Sequence, residues 1–554
     1  MKQILNNTWR ILHRDEKKRF SLLILFDILI SLLDILSLVI LLLIVQFYIQ
    51  GNSTKLPFLQ NLLTGRNPVF VIVFFLIFFA IKNLLAFSIT RMQYKFIADV
   101  SVRISAKNLS RFQHADFNEF IQTDSSVHIR RIGFQPLEFC QHVLSGIQQI
   151  ITQCFLIFLS VLAIVIFNAR VFLLLLAVLL PPVVIVFYLI KRKLSALKLE
   201  MQSSNEKTFR SLYDALKGYV ESNIYNSHEF FMNRFVRHRT LFSKKLFSSI
   251  GIQALPSRII ETFAVLGLLI LMLIAQWNGN GSSSTFITIA AFLAAAYKII
   301  PGVVKVINTS GQMRAFESSL DEIANDRTEI PKNLSGTAIQ ISSIEFRDVS
   351  FQYGSAEILK NFHLCISKGQ MLGITGKSGI GKTTILNLLL GFVAPKQGTI
   401  RINGHDSDAK ALQSYWSAIS YVRQQSFLMH ESILQNITLS ETEPDKKRLE
   451  AALKISGLEE ILKDIPEGLH KMITENGKNI SGGQQQRIAI ARALYKDADL
   501  YLLDEPFNEL DDASSKTLLK HFVELVQKGK TVIIITHDQS SLSFCNKIVS
   551  LDPS

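Results

Sequence analysis

One stretch of the sequence has the residue types and spacing of a phosphate cradle. Gly376-Lys377-Ser378-Gly379-Ile380-Gly381-Lys382-Thr383-Thr384 fits G-x-x-x-x-G-K-[ST]. It stands between a strand-like run, Met371 to Thr375, and an apolar helix-like run, Ile385 to Leu390. Glycine has no Cβ, so backbone N–H groups can approach phosphate oxygens closely. The start of the following helix adds positive potential. In such a loop Lys382 neutralises the β- and γ-phosphates and Thr383 ligates Mg2+. The expected nucleotide contacts are Gly376, Lys377, Ser378, Gly379, Gly381, Lys382, Thr383 and Thr384, with ATP and Mg2+ bound.

Two further motifs narrow the chemistry. Leu500-Tyr501-Leu502-Leu503-Asp504-Glu505 reads as a buried strand that delivers Asp504 to the Mg2+ shell. Glu505, one residue on, can accept a proton from an attacking water. The bland alternative is a buried strand ending in two surface acids. Both motifs together still fit a kinase, a helicase or a GTPase. Asn479-Ile480-Ser481-Gly482-Gly483-Gln484-Gln485-Gln486-Arg487 discriminates among these, because it opens an Ile/Ala/Leu-rich helix with Ser and Gly. That is a second anion site at a helix N-terminus, or else only a capped helix.

The elements that position these residues occupy the later part of the chain, which reads like a soluble α/β protein. The earlier part differs in composition. Of the 554 residues 48% are hydrophobic, and apolar runs concentrate before about residue 310. A span needs roughly 20 apolar residues to cross about 30 Å of hydrocarbon. Six segments qualify: 20–48, 68–90, 144–167, 171–191, 259–277 and 284–307. The first is far longer than the core of a cleavable signal and lacks a small-residue cleavage motif after it, so it is expected to remain as a span.

Net charge is +14 and the isoelectric point about 9.4. Nucleic-acid binding is one reading of such a balance. The basic residues instead flank the apolar runs on alternate sides, for example Arg10, Arg14, Lys17, Lys18 and Arg19 before the first and Lys191, Arg192 and Lys193 after the fourth. This is the positive-inside bias of a membrane protein, and no nucleic-acid partner is expected. The stretches 91–143 and 192–258 are long, basic loops and are expected in the cytoplasm; 49–67, 168–170 and 278–283 are short and nearly uncharged. Cys140, Cys154, Cys365 and Cys545 are scattered, with no C-x-x-C pair for metal or redox chemistry.

Ile4, Leu5, Trp9 and Leu12 recur at helical spacing, with Arg10, Arg14 and Lys17 elsewhere, which suggests an amphipathic helix in the inner interface. The alternative is simply the cytoplasmic start of the first span. Charges inside spans are costly and therefore informative. Asp34 and Lys82 each lie about 14–15 residues from the outer ends of their spans, the same depth of about 21–22 Å at 1.5 Å per residue. They are expected to pair between adjacent helices. Lys298 and Lys305, about two helical turns apart, share one face of the last span. They form a possible cationic stripe for an anionic headgroup, phosphate or pyrophosphate, against the alternative of snorkelling or a structural ion pair. Asp34 and Lys82 also count as possible cavity residues. Pro181, Pro182 and Pro301 are expected to kink their helices.

Taken together, the motifs resemble those of ATP-binding cassette proteins, whose signature is commonly LSGGQ; here Ile480 takes the first position. The resemblance implies further roles. Tyr353 stacks on adenine; Gln424 senses Mg2+ and contacts the membrane domain; Glu475, Asn476 and Gly477 match an exporter-specific segment. Asn508-Glu509-Leu510-Asp511 matches the D-loop, with Asn508 and Glu509 in place of the usual Ser-Ala, and His537 matches the switch histidine. Ser481, Gly482, Gly483 and Gln484 would close on ATP held by a partner chain. Asp116 to Ser126 and Gly218 to His228 match coupling helices in placement, or are ordinary helix-to-helix turns.

The fold implied is an all-α polytopic membrane domain of six helices (1–318, exporter type 1), a linker (319–340) and an α/β P-loop ATPase (341–554). The function implied is ATP-driven export by a homodimer or by a pair with a related half-transporter, in a bacterial inner membrane with the ATPase in the cytoplasm. Tyr297-Lys298-Ile299-Ile300-Pro301 and Met313 to Asp321 are similar to lipid-linked oligosaccharide flippases. An amphipathic lipid or lipid-linked glycan is therefore the expected substrate. A drug or peptide exporter, and an ATP-gated channel or regulatory subunit, are the alternatives.

Overall fold

The structure is a computed structural model and describes residues 2–50, 68–115, 117, 121, 123–167, 169–277, 299–314, 316, 323, 340–474 and 477–552. The chain divides into two compact units: Met1–Ala115 with Gln122–Ile330, and Asp116–Ile121 with Pro331–Ser554.

The first unit is helical. A short helix, α1 (Lys2–Ile11), leads into α2 (Arg14–Gln50) and α3 (Pro68–Gln113). A helical run from Ser125, with π-turns at Arg130–Phe134 and Phe139–Leu144, continues as α4 (Ser145–Phe167). Then come α5 (Ala169–Lys217), α6 (Tyr219–Ile224) and α7 (His228–Trp277), and residues 299–314 are helical. Among the described residues, Arg14–Leu41, Val69–Gln113, Ser125–Leu162 and His228–Ile270 are long and apolar enough to cross a membrane. The expected fourth span lies in α5, which runs unbroken through Pro181 and Pro182. Residues 284–298 of the sixth, Lys298 included, lie outside the described residues.

Contrary to expectation, the described residues of 91–143 and 192–258 are mostly helical rather than loops. The 46 residues of α3 run to Gln113, the 49 of α5 to Lys217, and the 50 of α7 start at His228. A helix of that length is about 70 Å long, more than twice the hydrocarbon thickness. The charged segments therefore continue the spans as helix, which satisfies their backbone groups internally.

Large apolar side chains on α3 face outward. Phe74, Leu84 and Phe87 are each more than 60% exposed, as expected of groups that meet lipid. The interior core joins α1, α2, α3 and the turn before α4 through Ile4, Leu12, Phe20, Phe96, Ile104 and Phe139. Phe20 stacks on Phe96 at 6.0 Å between centroids. Arg103 forks onto Glu16 (Nε–Oε1 2.6 Å, Nη2–Oε2 2.9 Å) and donates to the Ile11 carbonyl at 3.1 Å, tying α3 to the α1–α2 turn. The apolar residues of α1 thus divide. Ile4 and Leu12 are buried in that core, whereas Leu5 and Trp9 stay exposed.

The second unit holds two sheets. β1 (Ser343–Tyr353), β2 (Ala356–Ser367), β4 (Gln397–Ile402) and β5 (His405–Asp406) form an antiparallel sheet in the order β2-β1-β4-β5. β3 (Met371–Thr375), β6 (Ile419–Val422), β7 (Leu500–Asp504), β8 (Thr531–Ile535) and β9 (Lys547–Ser550) form a parallel sheet in the order β6-β7-β8-β3-β9. β7 and β8 are buried at every residue. Continuous apolar runs of this kind belong to parallel strands covered on both faces. The helices that matter for the site are α8 (Lys382–Leu389), α9 (Gly482–Tyr495) and α10 (Asp512–Gln527). Within this unit Phe117, from the first expected coupling segment, stacks on Phe392 with centroids 4.5 Å apart.

Asp34 and Lys82 meet as the depth argument requires. Lys82 Nζ lies 2.5 Å from Asp34 Oδ1 and 4.2 Å from the Phe79 ring centroid, and Lys82 is only 5% exposed. Removing one member of a buried pair leaves the other charge uncompensated. Asp34→Ala is therefore predicted to destabilise the first unit by about 3 kcal/mol. The exchanged pair Asp34→Lys with Lys82→Asp is predicted to recover most of that loss, read by thermal unfolding in detergent.

Candidate active site

Three parallel strands end at one edge of the sheet, and the motif residues hang from those ends. β3 leads into the phosphate loop, β7 into Asp504 and Glu505, and β8 into Thr536 and His537. Ligands of open parallel sheets sit at this carboxyl edge. The loop is shaped by left-handed glycines, with φ of +149° at Gly376, +80° at Gly379 and +111° at Gly381. A Cβ on Gly381 would stand 2.5 Å from Ile358 Cγ2, so both backbone and space require glycine there. Lys382 is buried at the start of α8 and its Nζ donates to the carbonyls of Gly376 (2.6 Å) and Lys377 (3.1 Å). The Lys377 N–H donates to Asp552 Oδ1 at 2.9 Å. Thr384 is buried beneath the loop.

Thr383 Oγ1 donates to Asp504 Oδ2 at 3.2 Å. A hydroxyl and a carboxylate at one point are the oxygen donors Mg2+ takes, so these residues fit that ion. Burial raises the Asp504 carboxyl above its ordinary value, and the Thr383 hydroxyl opposes this. Glu505 has φ +48°, in the left-handed region, and its N–H donates to the Ile535 carbonyl at 3.0 Å. Its Oε2 accepts from Gln424 Nε2 at 2.7 Å and from Asn508 Nδ2 at 2.8 Å. Its Oε1 lies 3.5 Å from His537 Nδ1. Gln424, Glu505 and His537, far apart in sequence, are thus one cluster. Tyr353 ends β1 with its ring exposed and edge-on to Phe351 at 4.8 Å.

The signature segment is arranged as a capped helix. Ser481 and Gln484 form a capping box at the start of α9: Gln484 N donates to Ser481 Oγ at 3.3 Å, and Ser481 N donates to Gln484 Oε1 at 3.2 Å. Among the described residues no hydrogen bond joins Ser481–Gln484 to the phosphate loop of the same chain. The two glycines let the D-loop approach closely. A Cβ on Gly482 would meet Glu509 Oε2 at 2.7 Å, and one on Gly483 would meet the Glu509 carbonyl at 3.0 Å. Arg487 reaches the Ser456 carbonyl (3.0 Å) and Ser514 Oγ (2.6 Å). Asp511 caps α10 by accepting from Ser514 N at 2.8 Å and Ser514 Oγ at 2.6 Å, which holds its carboxyl below the usual range. Glu475 and Asn476 lie outside the described residues.

In the first unit the expected cavity residues separate. Lys82 is neutralised by Asp34. Lys305 is exposed on a cleft of about 410 Å³ lined also by Gln149, Ser257, Glu261, Pro301 and Gln312, and has no carboxylate partner among the described residues. A polar cluster missed in the sequence lies at Asp27, which accepts from Gln93 Nε2 (2.5 Å), Gln148 Nε2 (2.8 Å) and Thr152 Oγ1 (3.3 Å). Its signal was available: Asp27 stands two helical turns before Asp34, on the same face.

Residues 20–299 match the family model of the ABC transporter transmembrane region, and residues 359–508 match the family model described as ABC transporter. The chain is 31% identical over 378 residues to an ATP-dependent lipid A-core flippase of Alkalilimnicola ehrlichii, covering 67% of this chain and 64% of that protein. It is 28% identical over 468 residues to a protein of the same name from Burkholderia orbicola, covering 82% and 77%. A probable ABC transporter ATP-binding/permease protein of Haemophilus influenzae is 35% identical over 212 residues, 38% of each chain. The structure of a bacterial Atm1-family ABC exporter with ATP bound matches with a TM-score of 0.74 at 18% identity, over 97% of this chain and 94% of that one, a likeness of fold.

Gly381→Ala is predicted to abolish ATP binding, because it combines a left-handed backbone, costing about 1–2 kcal/mol for an L-residue, with the Ile358 overlap. Nucleotide affinity by fluorescence titration checks this, with the wild-type fold verified by circular dichroism.

Proposed function

Because the chain belongs to the ABC transporter family, with a transmembrane region and an ATP-binding domain on one polypeptide, we propose that it is an ATP-hydrolysing exporter. It works as two copies, or as one copy with a related half-transporter, in a bacterial inner membrane. The observation that carries this reading is the convergence of Lys382, Thr383, Asp504, Glu505, Gln424 and His537 at one sheet edge, in a chain whose other unit is a bundle of apolar helices.

Tyr353 stacks on adenine, and the loop N–H groups with Lys382 hold the β- and γ-phosphates. Thr383, Gln424 and Asp504 would hold Mg2+, which when bound would neutralise phosphate charge. A water oxygen bonds to the γ-phosphorus, the bond from that phosphorus to the bridging oxygen breaks, and Glu505 takes the water's proton. His537 contacts the γ-phosphate from the end of β8. Ser481–Gln484 of one copy close on the nucleotide of the other. ATP drives this closure only by binding the closed pair more tightly than the open one.

The substrate is an amphipathic lipid with an anionic headgroup. The names of the relatives from Alkalilimnicola and Burkholderia support a lipid. Lys305, exposed on its cleft with no carboxylate in ion-pair contact among the described residues, supports an anionic group, whereas Lys82 is neutralised by Asp34.

Glu505→Gln is predicted to lower steady-state ATP turnover at least about 100-fold, the usual scale for loss of a general base, while ATP binding persists. Retained turnover would remove Glu505 from that role. In reconstituted vesicles, anionic lipids are predicted to stimulate turnover more than peptides or dyes do, and Lys305→Glu to abolish that stimulation. Uptake into inside-out vesicles separates pumping from gating.

A further inference from the structure

We propose that Asn508 is a positioning residue for hydrolysis. Its side-chain amide holds the Glu505 carboxylate in one orientation, with Oε2 engaged and Oε1 turned to the reacting water. The inference rests on the reading of Glu505 as general base. Asn508 Nδ2 and Gln424 Nε2 donate to the same oxygen, Glu505 Oε2, at 2.8 and 2.7 Å. A carboxylate oxygen offers two lone pairs. Oε2 therefore carries two amides here, and Oε1, 3.5 Å from His537 Nδ1, is the oxygen free of amide donors.

The main chain of Glu505 is already fixed by its left-handed turn and by its bond to the Ile535 carbonyl. The side chain beyond Cβ is not fixed by either. Preorganised geometry at the base is what turns a nearby carboxylate into an efficient one. Asn508 supplies it from three residues downstream, and Glu505 is its sole hydrogen-bond partner among the described residues. Asn508 is exposed and fills no core, so its amide has no packing duty. Gln424 belongs to a different loop, after β6, and is also expected at Mg2+. If Gln424 engaged Mg2+, Asn508 would still hold Oε2 and leave Oε1 free of amide donors. The two D-loop departures from Ser-Ala thus serve different ends, with Asn508 on the base and Glu509 against Gly482.

The test compares steady-state ATPase kinetics of the full-length protein with Asn508→Ala, Asn508→Asp and Glu505→Gln, together with ATP affinity and thermal unfolding. Asn508→Ala is expected to lower kcat about tenfold, the scale of a lost hydrogen bond to a charged group, with KM and ATP affinity within about twofold. Asn508→Asp keeps the shape, removes the donor and sets a carboxylate against Glu505, so its kcat is expected to fall below that of Asn508→Ala. A packing role would favour the isosteric Asp instead, so the ranking decides even where Asn508→Ala folds poorly. Asn508→Ala with wild-type kcat, or Asn508→Asp equal to or above it, overturns the proposal. Glu505→Gln separates the two readings: if it retains turnover the base assignment fails, and if it is inactive while Asn508→Ala is unaffected only the positioning role fails.

Discussion

Parallel pairing of β3, β8 and β7 sets Gly373 and Leu503 both opposite Ile534. The three strands therefore end at one level, and the phosphate loop, the Asp504–Glu505 pair and His537 are suspended from those ends. A slip of one residue in a ladder moves every side chain of that strand to the opposite face. The register is held because β7 and β8 are buried on both sides by apolar residues that have no alternative place to go. The chemistry at the edge is a consequence of that packing. Thr383 meets Asp504, and Gln424 meets Glu505, because the strands beneath them cannot shift.

Around this edge the small residues do two jobs. Gly381 accommodates a left-handed turn and the approach of Ile358, and Gly482 and Gly483 accommodate Glu509. A glycine pair at a helix start reads first as an anion site, and here it also admits the close approach of the D-loop of the same chain. Ser481 likewise spends its hydroxyl on a capping box, and Asp511 and Arg487 fasten α10. The signature helix and the cap of α10 are joined by polar bonds through Arg487, Ser514 and Asp511, while Asn508 bonds Glu505 from the same D-loop.

The helical unit treats its charges by a different logic, since water is not at hand to solvate them. Lys82 is matched by Asp34, and Asp27 is matched by neutral donors from α3 and α4. Lys305, exposed on its cleft, differs from both. Helices of 46 to 50 residues carry the spans well beyond any bilayer, so the basic segments are rigid extensions rather than connecting loops.

By itself the sequence determined the place of the glycine-rich loop between strand and helix and the division into an apolar helical part and an α/β part, because glycine spacing and apolar run length are local properties. It also determined the Asp34–Lys82 pair, because depth in a span is counted in residues. It did not determine that α3, α5 and α7 continue as helix through charged stretches, because charge marks solvation and not backbone conformation. The Asp27 cluster, the division of the α1 apolar residues between core and surface, and the two amides on Glu505 Oε2 were decided only in three dimensions. Each depends on which distant elements pack against one another, and no spacing along the chain records that.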